Sequence, residues 1–251
     1  MLLSPPNVVV ASKFGPIIVN KNDSFIARDI LRLGYWAERE IDMIAMLIRI
    51  ILKNQNTALF YDVGANIGTH SLALSKMFSE KIKVRAFEAQ RAIFDMLCGT
   101  MALNKIMNVE CHLNAVGDVD GDVIDLYLPD YNLPNNFGGF ELIKAKNSDN
   151  QDMVKSGACE KVRTVTLDSF DEKVNFVKID IEGMEHIAIA GAIKTIDSGR
   201  PICLIEIIKT EKHIVLDFFR SRNYSLYEME HNVIFIPNEI GINIEGLPRI
   251  V

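Results

Sequence analysis

The chain has 251 residues, 49% of them hydrophobic, and a formal net charge of −6, which suits one sizeable core. No window reaches the roughly 18 uninterrupted apolar residues of a membrane span, and the opening Met1-Leu2-Leu3-Ser4-Pro5-Pro6 has neither a basic nor an apolar leader segment, so the expectation is a soluble, cytoplasmic protein. Lys and Arg are scattered, with short clusters at 81–83 and 144–146 that read as solvated faces, which excludes the basic stripe of a general nucleic-acid binder.

Residues 1–57 read as an N-terminal extension packing on the rest. Its firm element is a helix over 37–52, where Ile41, Ile44, Ala45, Ile48, Ile51 and Leu52 share one face. From Ala58 onward strand and helix alternate. Strands are predicted over 58–63, 83–87, 109–113, 175–181 and 202–207. Helices are predicted over 67–78, 91–103, 184–196 and 213–221, and segments 224–229 and 233–236 read as a closing antiparallel pair. This alternation implies an α/β fold with a mostly parallel, doubly wound sheet flanked by helices. The rhythm breaks between 113 and 175. There 123–128 and 162–166 read as extra strands, and 129–160, rich in Asn, Gly and Pro, reads as a lid or substrate loop. Phe137 and Phe140 flank the Gly138-Gly139 pair within it. Cys98, Cys111, Cys159 and Cys203 have no metal-site or redox spacing and read as reduced thiols.

In an open α/β sheet the ligand lies beyond the carboxyl ends of the strands. Asp62 and Gly64 stand where the first parallel strand ends, Gly64 and Gly68 permit a tight turn, and the next helix offers backbone N–H groups to an anion. Glu88 ends the second strand, where a carboxylate can accept both hydroxyls of a ribose. A dinucleotide fingerprint needs a second glycine against the pyrophosphate. That position is Asn66, and the last is Thr69. The loop therefore fits S-adenosylmethionine (SAM) better than a nicotinamide cofactor.

A central parallel strand should be apolar on both faces, yet 175–181 carries Lys178 and Asp180. Buried charges need partners, so Lys178 reads either as a structural ion pair or as part of a site. Asp180, Glu182 and Glu206 collect at neighbouring strand ends, where they would favour a cationic sulfonium and offer a base to a hydroxyl acceptor. His70, opening the helix after the glycine loop, is a further candidate base. His186 near Asp180 and Glu182 hints at a metal cluster, but strand carboxylates and a histidine on the next helix need not converge, and no metal is expected. Tyr35 and Trp36 would pack on the adenosine or the acceptor, or anchor the extension.

These motifs resemble the FkbM family of SAM-dependent methyltransferases. Asp62-Val63-Gly64-Ala65-Asn66-Ile67-Gly68 is similar to the family's glycine loop, and Ala86-Phe87-Glu88-Ala89 to its A-F-E-P, with Ala89 replacing Pro. Thr166-Leu167-Asp168 and Lys178-Ile179-Asp180-Ile181-Glu182-Gly183-Met184-Glu185 resemble its T-L-D and K-I-D-x-E-G-x-E, and 135–142 resembles the N-F-G-G loop of a subgroup. The resemblance implies a class I methyltransferase fold with a seven-stranded sheet, formed by residues 58–251, and O-methylation of a hydroxyl on a sugar, glycan precursor or natural product. On that basis Asp62, Gly64, Ala65, Asn66, Gly68, Glu88, Ala115 and Asp180 would hold the cofactor, and Asp180 and Glu182 would lie near the methyl group or acceptor. A nicotinamide-dependent oxidoreductase and a non-catalytic SAM-binding protein are the alternatives. A nucleic-acid methyltransferase lacks support, because Asp180-Ile181-Glu182-Gly183 stands where its N/D-P-P-Y/F/W motif would be.

Overall fold

The computed structural model describes residues 5–139 and 154–250. The chain opens with a hairpin, β1 (Asn7–Ser12) and β2 (Gly15–Asn20), followed by α1 (Ile26–Leu33) and α2 (Glu38–Ile51). The extension thus carries a hairpin and a second helix besides the helix expected over 37–52. The β-branched run Val8-Val9-Val10 favours strand, and Gly15 at φ +132° lets the chain reverse after Ser12.

The core alternates as predicted: β3 (Ala58–Val63), α3 (Thr69–Phe78), β4 (Ile82–Glu88), α4 (Arg91–Leu103) and β5 (Val109–Leu113). A short β6 (Ala115–Val116) then joins β7 (Val123–Pro129) and β8 (Val154–Val165) in a separate three-stranded sheet. The chain returns through β9 (Phe176–Ile179), α5 (Glu185–Ala190), α6 (Ile193–Gly199), β10 (Ile202–Glu206) and α7 (Lys212–Arg220), and closes with β11 (Tyr224–Met229), β12 (Asn232–Pro237) and β13 (Arg249–Ile250). The main sheet runs β13-β11-β12-β10-β9-β3-β4-β5. Pairing is parallel from β5 to β10 and antiparallel beyond. It has eight strands rather than seven because the two-residue β13 adds an edge.

Both faces of the parallel strands are covered, as such sheets require. Phe60, Val84 and Phe176 pack with Ile44 and Ile48 of α2 and Leu72 of α3. Tyr61, Val63, Val177 and Ile179 point the other way, against Ala188, Ile196 and Phe219. A third cluster ties the extension to the insertion, with Ile17, Val19 and Ile30 meeting Ile93, Met96 and Phe137.

Two expectations are corrected. The helix expected over 184–196 is broken at Gly191, where a Cβ would lie 2.0 Å from the Gly117 carbonyl oxygen. The Gly191 carbonyl leaves the helix to accept the Asp168 N–H at 3.0 Å, and the Asp168 carboxylate accepts the N–H groups of Lys194 and Thr195, capping α6. Residues 154–160, expected as loop, belong to β8. Phe140 and the 144–146 lysine cluster lie outside the described residues. All four cysteines are unpaired, and no helix among the described residues is long and apolar enough to cross a membrane.

Candidate active site

The chain leaves β3 toward β4 on one side and reaches β9 on the other, so the crevice between β3 and β9 is the topological switch point where such sheets bind ligands. A cavity of about 570 Å³ opens there. Gly64, Ala65, Asn66, His70, Glu88, Ala115, Asp180, Glu182 and Glu206 line it; Asp62 and Gly68 do not. Asp62 is fully buried beneath the loop, accepting the Ser71 hydroxyl at 2.6 Å. Gly68 gives room to Leu97 and Met101, which a Cβ would meet at 2.6 and 2.8 Å.

The glycine loop spends its own donors. Gly64 and Ala65 N–H donate to the Phe87 carbonyl, Asn66 N–H to Glu88 Oε2 at 3.0 Å, Ile67 N–H to Asn66 Oδ1 at 2.8 Å, and Gly68 N–H to the Ala65 carbonyl. The donors of the turn itself are thus satisfied within the protein, and the N–H groups left for a ligand are those of the first turn of α3, the helix expected to offer them. Glu88 is buried and also accepts the Gln90 N–H, at 2.8 Å. Burial pushes its carboxyl up to about 7 against the lowering effect of these hydrogen bonds. Beside it, Ala115, Ile124 and Leu126 form an apolar slot, the last two supplied by β7 of the insertion.

Lys178 is a buried ion-pair centre. Its Nζ lies 3.3 Å from Asp180 and 3.8 Å from Asp62, and donates to the Gly64 carbonyl at 3.1 Å. Burial alone would lower this ammonium, but Asp180, Asp62 and Glu40 outweigh it and raise it above the usual lysine range. The alternation that exposed Lys178 in the sequence thus marks a charge holding two strand ends and the glycine loop in register.

Oxygens of Asp180, Glu182 and Glu206 lie within 4.8 Å of one another. Glu182 sits at φ +57°, a left-handed backbone uncommon for a non-glycine residue. Glu185 holds that turn, its buried carboxylate accepting the N–H groups of Ile181 and Gly183. Lys209 pairs with Glu182 at 2.6 Å. Burial nevertheless pushes Glu182 up to about 7, and burial with the charges of Asp180 and Glu182 pushes Glu206 up to about 8. His186 turns away to Thr210, at 3.1 Å, so it does not join the acids.

Trp36 apart, the far wall comes from residues that carried no site role in the sequence. Trp36, Glu40, Glu230 and Asn232 line the cavity; Tyr35 does not. Glu40 of α2 meets His70 Nε2 at 3.2 Å and accepts the Asn232 amide at 3.1 Å. Arg39, one residue earlier, pairs with Glu230. The insertion covers the mouth. Gln90 donates to the Phe137 carbonyl and accepts the Tyr131 hydroxyl, and Lys209 donates to the Gly139 carbonyl at 2.6 Å.

Comparison with solved structures finds a methyltransferase FkbM from Methylobacillus flagellatus KT, at 17% identity and TM-score 0.50. The match covers 72% of this chain and 44% of that one, so the chain spans less than half the length of that relative. An rRNA methylase from Streptococcus thermophilus matches at 13% identity and TM-score 0.46, over 80% of this chain and 98% of that one. A SAM-dependent O-methyltransferase from Thermotoga maritima matches at 11% and 0.47, over 92% and 77%. No curated protein sequence matches. The fold is that of the class I SAM-dependent methyltransferases. The model of the methyltransferase FkbM domain matches residues 62–226, more than half of the chain, from the glycine loop into β11, and the protein belongs to the FkbM methyltransferase family.

Proposed function

We propose that the protein is a SAM-dependent O-methyltransferase acting on a hydroxyl of a sugar, a glycan precursor or a hydroxylated natural product. The observation that carries this reading is one cavity joining the Glu88 carboxylate and its apolar slot to the acids Asp180, Glu182 and Glu206. The residues fit the cofactor. Glu88 has acceptor capacity left for ribose hydroxyls, Ala115, Ile124 and Leu126 suit an adenine, and the strand-end acids suit a positive charge. When bound, SAM supplies a methyl group on a cationic sulfur. The chain's part is to align an acceptor oxygen with that methyl group and to take up the hydroxyl proton. Asp180 is engaged by Lys178 and Glu182 by Lys209, which leaves Glu206 as the carboxylate for the proton.

A screen of tritiated-methyl transfer from SAM over sugars, glycan precursors and hydroxylated metabolites tests the reading. An NADH absorbance assay on the same panel, and an RNA arm, check the competing chemistries. Methylation of RNA alone, or hydride transfer, would overturn it. Asp180→Asn removes a negative charge from the reacting end and from Lys178. Its turnover is expected to fall about 10²–10³-fold with the affinity for S-adenosylhomocysteine (SAH) nearly intact; full activity would remove Asp180 from the site.

Glu88 gives this binding a pH dependence. Ribose hydroxyls donate to the ionised carboxylate, while in the free protein Glu88 holds its proton up to about 7. SAH affinity should therefore be full above that pH and fall by up to about tenfold per unit below it. Glu88→Gln should flatten the profile and weaken binding about 10–100-fold, since hydrogen bonds to a charged group are worth about 1.5–3 kcal/mol. Calorimetry between pH 5.5 and 8.5 reads both effects. A pH-independent wild type would take Glu88 off the ribose.

A further inference from the structure

The cavity is longer than its cofactor half. It reaches from Asn114, just past β5, to Asn232 at the start of β12. That is five strand spacings across the sheet, about 24 Å. Glu88, Ala115 and the glycine loop occupy the β3–β5 end. The other end is walled by residues outside the 62–226 family region, chiefly Trp36, Glu40 and Asn232.

Glu40 is the organised group there. A carboxylate has about four acceptor sites, two on each oxygen. The His70 ring occupies one on Oε2 and the Asn232 amide one on Oε1, so each oxygen of this cavity-lining residue keeps acceptor capacity. Its side chain is 24% exposed, while His70 beneath it is 6% exposed. Burial alone would push Glu40 up, but the hydrogen bond and charge of His70, with the Lys178 ammonium, hold it below the usual carboxylate range, so it stays ionised. Among the described residues Lys209 is matched by Glu182 and Glu230 by Arg39, while the single ammonium of Lys178 faces three carboxylates, Asp180, Asp62 and Glu40, so acids outnumber cations here. The field at this end repels an anion.

Resting on the methyltransferase reading, we infer that Glu40 is the acceptor-recognition residue. It receives hydroxyls, or a hydroxyl and an ammonium, on adjacent carbons of an uncharged or amino-bearing polyol, one on each oxygen. Trp36 lies along the same wall for the C–H face of the ring, and phosphorylated acceptors are turned away. His70 and Asn232 act as positioning residues that fix the carboxylate plane.

Trp36 is the only tryptophan, so its emission reports directly on this wall. SAH-loaded protein is titrated with methyl α-glucopyranoside and glucosamine, and separately with glucose 6-phosphate and uridine diphosphate glucose. The first pair should shift Trp36 emission saturably and the second pair should not. Glu40→Gln should weaken sugar binding at least tenfold while calorimetric SAH affinity stays within about twofold of wild type. Asn232→Ala, which keeps the carboxylate but frees its orientation, should weaken sugar binding less. If Glu40→Gln does not fold, Asn232→Ala carries the test, and wild-type sugar affinity in either folded variant overturns the assignment. Tighter binding of a phosphorylated sugar overturns it too, as does SAH-loaded protein in which none of the four compounds perturbs Trp36. Wild-type protein that fails to bind SAH would instead overturn the cofactor reading on which the inference rests.

Discussion

Gly64→Ala is expected to cost about 3–5 kcal/mol of folding stability and to abolish SAH binding. Gly64 sits at φ +76°, and a Cβ there would lie 1.8 Å from the Asp180 carbonyl oxygen and 2.9 Å from its carbon. Those are backbone atoms, which no rotamer change can move aside. Asp180 is itself fixed, its N–H donating to the Val63 carbonyl at 3.1 Å, and the Gly64 carbonyl accepts from Lys178. Relieving the overlap therefore means parting β3 from β9 at the point where the ligand crevice opens. Gly121→Ala is the control. Gly121 has nearly the same backbone, φ +78°, but nothing within 4 Å of the added carbon. It should lose only the left-handed strain, about 1–2 kcal/mol. Urea denaturation of the two variants separates strain from collision, and equal losses would mean that the approach of the two strand ends does not constrain position 64.

The glycine loop and its acidic partner were legible in the sequence because their signals are local. Glycines, a strand end and Glu88 are read within thirty residues of one another, and polar residues inside 175–181 stand out against an apolar background. Contacts of long range in sequence were not legible. Glu40 looks like an ordinary polar residue of an amphipathic helix, and only folding brings it to His70, on the next helix, and Asn232, at the far end of the chain. The same holds for Lys178. Its alternation pattern announced a buried charge, but left a structural pair and a site role open. The structure places its ammonium between Asp62 and Asp180, so the ion pair is itself part of the site's framework. The break at Gly191 was hidden for a related reason. The helical periodicity of 184–196 is real, but the Gly117 carbonyl that requires a bare Cα lies more than seventy residues upstream. The loop's spent N–H groups could not be foreseen either, since their acceptors include Phe87 and Glu88 on a neighbouring strand.

Glu206→Gln should lower methyl transfer about 10²–10⁴-fold while making the folded protein more stable at pH 8. Among the described residues the Glu206 carboxyl group has no hydrogen-bond or ion-pair partner, whereas Asp180 and Glu182 each have a lysine. Burial, then the charges of Asp180, Glu182 and Glu185, push it up to about 8, partly offset by Lys178. A base is most effective when its pKa lies near the working pH, and a cationic cofactor in the same cavity favours the ionised form. With SAM saturating, so that the Glu88 effect on binding drops out, the wild-type rate should therefore rise with pH toward about 8 and then level. The glutamine variant should be slow and should lack that limb, with SAH affinity little changed. The stability effect has the opposite sign. The folded protein holds this proton more tightly than the unfolded chain, whose carboxyl has the ordinary value of 4.5. Folding stability is accordingly lost as pH rises from about 4.5 toward 8. Glutamine carries no charge to bury, so the variant should match wild type near pH 4.5 and exceed it at pH 8. A gain in stability paired with a loss of turnover is what an acid kept for chemistry produces. Urea denaturation at the two pH values, alongside the pH–rate profile, reads both sides. A variant that keeps wild-type turnover would move the proton acceptor to another residue, and one that loses stability at pH 8 would mean that Glu206 has a favourable partner in the fold.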